Sequence, residues 1–117
     1  MGQFPRAGHM DVSNTVDVSD PEAVARAVTT ILQNCYCAAD LWPVAVLFRD
    51  FSRLYCGQFP GYRACDVRYH NTQHVLDVTL AMARLLDGYE RSCAAQGQLG
   101  PQMAMVGIAA ALFHDSG

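Results

Sequence analysis

Lysine is missing altogether: all eight basic residues are arginine, against eleven acids, and the formal charge is −3. No run of either sign is long enough to attract a polyanion, so composition argues against nonspecific nucleic-acid binding and against docking on a membrane surface. Charge is scarce overall, at 16% of residues against 51% hydrophobic, which excludes a disordered chain and predicts a buried core. The longest unbroken apolar stretch, Met103 to Phe113 counting Gly107, is about half of the ~20 residues a bilayer requires. It is a buried-helix signal rather than a span. The cysteines (Cys35, Cys37, Cys56, Cys65 and Cys93) are odd in number, lack C-x-x-C spacing and follow no secretory leader, which points to a reduced, cytoplasmic setting. Cys35 and Cys37 lie in a helical pattern that turns them to different faces, so buried structural cysteine fits better than a soft-metal pair.

What remains is room for one domain, since 117 residues match the usual size of a single core. Residues 1–10 read as an expression-tag scar or disordered leader, because "GHM" before Asp11 looks unlike the rest of the chain. Residues 11–117 then form the domain. Ser19 or Asp20 can cap a first helix over about 21–38, with Pro21 in its first turn and Val24, Val28, Ile31 and Leu32 at helical spacing. Asp40 caps a second, which tolerates Pro43 early and stops near Gly57. The stretch from Gly57 to His70, rich in glycine and proline, reads as an irregular connection. Asn71 is placed to cap a third helix that runs to about Tyr89 or Cys93, with Gly88 as a weak point. Pro101 opens a fourth. Because that helix is apolar on every side, the pattern predicts the middle of a bundle, which three preceding helices can hardly enclose. The fold class expected is all-α, a bundle of about four helices.

Apart from His9, the histidines fall into two groups, "RYHNTQH" with His70 and His74, and "FHD" with His114. His74 and Asp77 lie three apart and share a helix face with Val78. Adjacent residues on a helix point roughly 100° apart, so His114 and Asp115 can flank one point from two directions. Nitrogen plus carboxylate oxygen suits a divalent transition metal better than calcium. The same His-Asp pair also suits a plainer role, hydrogen bonding to a carbonyl or resting on the negative end of the helix dipole. Tyr69 and Asp77 have equally ordinary readings, as a packing ring and a helix-surface carboxylate.

"YHNTQHVLDV", Tyr69 to Val78, resembles the Y-H-N-x-x-H-x-x-D-V segment of the class I cyclic nucleotide phosphodiesterases, and "AAALFHDSG" resembles the helix-ending HD of the wider HD-domain metal phosphohydrolases. The likeness covers roughly residues 66–117, with the two motifs in the family's order and about forty residues apart. It implies that His74, His114 and Asp115 bind one or two divalent cations (Zn, Mn, Fe, Co or Mg), with Asp115 bridging a pair. It implies that His70 is the general acid, that Asn71 and Asp77 play supporting roles and that Tyr69 walls the pocket. The substrate implied is a nucleotide or other phosphoester. The family pattern runs on past Gly117, to a further metal-binding aspartate and to the clamp and glutamine that hold a purine, and nothing in this chain matches those. The expectation is therefore the N-terminal part of such a catalytic domain, inactive as it stands, with Ser116 and Gly117 poorly ordered. The alternative is a noncatalytic helical module that dimerises or swaps a helix through its apolar fourth helix.

Overall fold

A computed structural model of the chain describes residues 10–55, 68–93 and 99–114, the side chains of residues 55, 68–71 and 93 excepted. These residues form four α-helices: α1 (Pro21–Cys35), α2 (Trp42–Tyr55), α3 (Arg68–Cys93) and α4 (Pro101–Phe113). No strand occurs among them, only an isolated antiparallel bridge between Met10 and Asp17. The all-α bundle expected from the sequence is the fold observed. None of these helices is long and apolar enough to cross a membrane.

Each start signal has a local cause. Asp20 is the residue that caps α1, its carboxylate accepting from the Glu22 N–H at 3.0 Å, and Asp40 does the same for the N–H of Trp42 at 3.0 Å. Helix α1 ends at Cys35, three residues short of the sequence expectation. The Gln33 side-chain amide donates to the carbonyls of Tyr36 and Cys37, at 3.4 and 3.0 Å, satisfying carbonyls that a longer helix would have used. Helix α3 begins at Arg68 rather than at Asn71, so Asn71 sits inside its first turn and does not cap it. Nothing in Arg68, Tyr69 or His70 breaks a helix. Gly88 does not interrupt α3 either, which runs through it to Cys93.

Helix α1 packs on α2 and α3, and α4 packs on α3 and α2, so around the bundle the order is α1, α2, α4, α3. The core at the centre is built from Val24, Val28 and Leu32 of α1, Val44, Phe48 and Phe51 of α2, Leu76, Leu80 and Ala83 of α3, and Ala104, Ile108 and Leu112 of α4. Gly107 brings α4 close to α3: a methyl group there would lie 3.6 Å from Leu86 Cδ1 and 3.8 Å from Met82 Sδ. As expected of an all-round apolar helix that three others can hardly enclose, α4 buries one face only. Ala104, Ile108, Ala111 and Leu112 face inward, while Met103 and Val106 are 55% and 58% exposed. The physical reason is geometric: in a ring of four helices no member occupies the centre.

Two polar clusters tie neighbouring segments to α3. The Asp11 carboxylate is fully buried and accepts from the backbone N–H groups of Ser13, Thr15 and Val16 (3.1, 2.9 and 2.8 Å), from the Ser13 hydroxyl (2.5 Å) and from Arg84 Nη2 (2.7 Å). Burial alone would raise its pKa, but the donors, the Ser13 hydroxyl foremost, hold it well below the usual carboxylate range. Six residues further along α3, Glu90 accepts from the Tyr36 hydroxyl and from the N–H groups of Leu99 and Gly100, the latter at 3.2 and 3.1 Å. It thereby fastens the entry to α4 onto α3 and α1.

Candidate metal centre

The antiparallel register of α3 and α4 brings the two histidine motifs together. It starts where Glu90 meets Gly100, passes Met82 and Leu86 against Gly107, and reaches His74 and His114. The His74 and His114 rings are 6.5 Å apart between centroids and 67° from coplanar. Forty residues of separation collapse to one contact because the two helices run back along each other.

His114 is the residue just past the end of α4 and keeps helical dihedrals, φ −63° and ψ −27°. The preceding Phe113 packs edge-on against the buried Phe51 of α2, with centroids 6.3 Å apart and planes at 71°. That contact fixes the last turn, and a step of about 100° along the helix then turns His114 from α2 toward α3. Its Nδ1 donates to the Ala111 carbonyl at 2.7 Å. The plainer reading of the sequence is thus realised. A carbonyl only accepts, so Nδ1 carries the proton and the lone pair of the neutral ring belongs to Nε2, the arrangement found where a histidine is oriented to bind a cation.

His74 is exposed and shares a groove of about 510 Å³ with Asp77, Val78 and Ala81 along α3. The common face predicted for His74, Asp77 and Val78 is the face that lines this groove. Val12, Arg84 and Leu85 complete it, and these three are residues that sequence reasoning did not single out. Val12 arrives there because Asp11 pins its loop to Arg84. The signal was in "DVSNT", where closely spaced Asp, Ser, Asn and Thr favour side-chain hydrogen bonds to nearby backbone N–H groups.

Of the proposed ligands, His74 and His114 are brought together. Asp115 lies outside the described residues, as do Ser116, Gly117 and the side chains of His70, Tyr69 and Asn71. Among the described residues no group of three or more His, Cys, Asp or Glu side chains converges to hold a metal. The donor chemistry of the two rings does fit a transition cation. With metal–nitrogen bonds of about 2.0–2.1 Å, two imidazoles on one ion have centroids roughly 4.5–6.5 Å apart, depending on the angle between them. The observed 6.5 Å corresponds to the widest, trans angle, so the rings stand farther apart than tetrahedral or cis coordination sets.

The C-x-C pair separates as its spacing predicts. Cys35 is half-buried and donates to Asp87 Oδ1 at 3.0 Å, while Cys37 is exposed. Burial, and then the hydrogen bond to Asp87, push the Cys35 thiol up to about 11, so it stays protonated and unreactive near neutral pH. Compared with protein-family models, with curated proteins and with solved structures, the chain matches none.

Proposed function

We propose that this chain belongs to a metal-dependent phosphohydrolase that hydrolyses a phosphodiester bond of a nucleotide, a cyclic nucleotide above all. The observation that carries the reading is the meeting of His74 and His114 across α3 and α4, 6.5 Å apart, with His114 held in the tautomer that presents Nε2. The sequence likeness of Tyr69–Val78 and of the His114-Asp115 pair to the cyclic nucleotide phosphodiesterases supports the same conclusion.

In this reading His74, His114 and Asp115 would hold one or two divalent cations, Zn, Mn, Fe, Co or Mg. The cation supplies a water acidic enough to attack phosphorus near neutral pH, together with positive charge for the phosphate oxygens. His70 lies one turn before His74 on α3 and donates the proton that the departing alkoxide needs, a task suited to a side chain whose ordinary pKa is about 6.5. Asp77 supports the site from the face it shares with His74, Asn71 helps to orient the groups around it, and Tyr69 forms wall. A reduced, cytoplasmic setting accompanies this assignment.

Calorimetric titration of the chain with Mn²⁺ and Zn²⁺ tests the ligand set separately from turnover. The expected result is saturable binding that weakens at least about tenfold in His74→Ala and in His114→Ala. Binding that is unchanged in both variants overturns the assignment. Turnover is tested with cyclic nucleotides as substrate, where replacing His114 and Asp115 by alanine is expected to abolish their hydrolysis.

The outer face of α4 favours a second reading, a helical module that associates with a second copy of itself. Met103 and Val106 are more than half exposed on one side of that helix, and clustered apolar surface commonly marks an interface. Sedimentation that shows a compact monomer at high concentration sinks this reading and leaves the first untouched.

A further inference from the structure

We propose that the groove between α1 and α2 docks an acidic amphipathic helix of a partner protein. This groove, about 470 Å³, lies away from the histidines and takes no part in the proposed hydrolysis. Its floor is apolar, with Ala25 from α1 and Ala45 and Phe48 from α2, and its edges carry Arg26, Arg49 and Arg53. All three arginines are exposed. In a chain with eight arginines and a net charge of −3, three of them border one concave surface, Arg53 with an interaction of its own, whereas among the described residues the one carboxylate lining it is that of Glu22. Arg49 meets Asp50 at 3.9 Å, and both of those side chains are exposed, 62% and 39%, so the pair does little to neutralise the edge.

Shape and charge together select the partner. Arg49 and Arg53 are one helical turn apart on α2, and Arg26 stands across from them on α1. A helix laid between the rims therefore meets guanidinium on both flanks and alkyl groups beneath. An amphipathic helix answers this with apolar residues at i, i+3, i+4 and i+7 and with glutamate or aspartate beside them. Guanidinium forks pair with carboxylates in bidentate fashion, giving such a contact direction as well as attraction. A nucleic acid fits less well: the basic edge extends over roughly 6 Å of α2, the floor is apolar, and the chain as a whole repels a long polyanion. A bilayer fits less well again, because Phe48 is buried and Ala25 half-buried, which leaves only the small Ala45 exposed on the floor.

Fluorescence anisotropy of the intact chain with a fluorescein-labelled helical peptide, leucine on one face and glutamate on the flanks, tests the proposal. Saturable binding is expected, weakening as salt rises. The double variant Arg26→Glu/Arg49→Glu is expected to lose at least about tenfold in affinity, equivalent to about 1.4 kcal/mol. Ala45→Glu, which puts a carboxylate on the floor at an exposed position, is expected to lose as much, and both variants keep wild-type circular dichroism and Tm. Four results each overturn the proposal: no saturable binding of the peptide, equal binding by the charge-reversed variant, equal binding of a peptide with lysine in place of glutamate, or tighter binding of a single-stranded oligonucleotide or of phosphatidylserine vesicles.

Discussion

Toward its C-terminal end α3 carries Asp87, Glu90 and Arg91, and a few turns earlier it carries His74 and Asp77. By residue type either set could be read as a site. Their surroundings separate them. Asp87 accepts from Cys35 and from Arg91, at 3.0 and 2.9 Å, and Glu90 accepts from Tyr36 and from two backbone N–H groups at the start of α4. Those oxygens already serve the fold, and binding a ligand there would mean giving up the bonds that hold three helices together. His74 instead stands exposed beside a groove and faces a second histidine. Exposure beside a groove and a second histidine across from it distinguish this end of the helix from the other where residue identity does not.

Several measurements can break this comparison, beginning with the largest effect. Asp11→Ala removes the acceptor of three backbone N–H groups, the Ser13 hydroxyl and Arg84, and is expected to lower unfolding stability by about 3 kcal/mol in urea titration. Glu90→Leu leaves the Tyr36 hydroxyl and the Leu99 and Gly100 N–H groups without their acceptor. Its Tm should fall by several degrees, with amide exchange rising first at the beginning of α4. If Glu90→Leu proves neutral, the structural end of α3 has been misidentified.

The pH dependence has two arms with opposite signs. Asp11, Asp87 and Glu90 ionise more readily in the folded chain than at their ordinary 3.8, 3.8 and 4.5, so the unfolded chain binds more protons. Their contribution is complete above about pH 5 and is lost as pH falls below that. The Cys35 thiol goes the other way, from 9.0 to about 11, and the Tyr36 hydroxyl, buried and bonded to Glu90, is also raised. Stability is therefore expected to decline as pH climbs through 9 toward 11, and Cys35→Ala should flatten that decline in thermal melts.

The smallest effects fall on exposed positions. Gly88 lies on the surface of α3 with nothing within 4 Å of where a methyl would go, so Gly88→Ala is expected to stabilise by up to about 1 kcal/mol in urea titration. His74→Ala is expected to change stability by no more than about 0.5 kcal/mol while weakening metal binding. A large loss of stability in His74→Ala would erase the contrast between the two ends of α3.

Helix positions were legible in the sequence because they rest on local chemistry: Asp20, Asp40 and Pro101 each act within a turn of themselves. The start of α3 was not, since Asn71 looks like a cap and only the absence of a breaker in Arg68–His70 says otherwise. The apolar run of α4 was read as a helix that three others could not enclose, but sequence reports hydrophobicity and not which faces have neighbours, so the exposed side, Met103 and Val106, was not legible. Pairing of His74 with His114 followed from motif order. The Asp11–Arg84 anchor and the Tyr36–Glu90 bond did not, because they join residues 73 and 54 positions apart with no periodicity to announce them.

The order of helices around the bundle divides the molecule into two halves that are each continuous in sequence. Helices α1 and α2 form one sequence-local hairpin and α3 and α4 another, and the hairpins meet side by side through α1 with α3 and α2 with α4. Each therefore holds half of a shared core. A polypeptide severed between α2 and α3 keeps both hairpins whole, so two separately produced halves are expected to find each other and rebuild the bundle. The His74–His114 contact, being internal to the second hairpin, would travel intact with it.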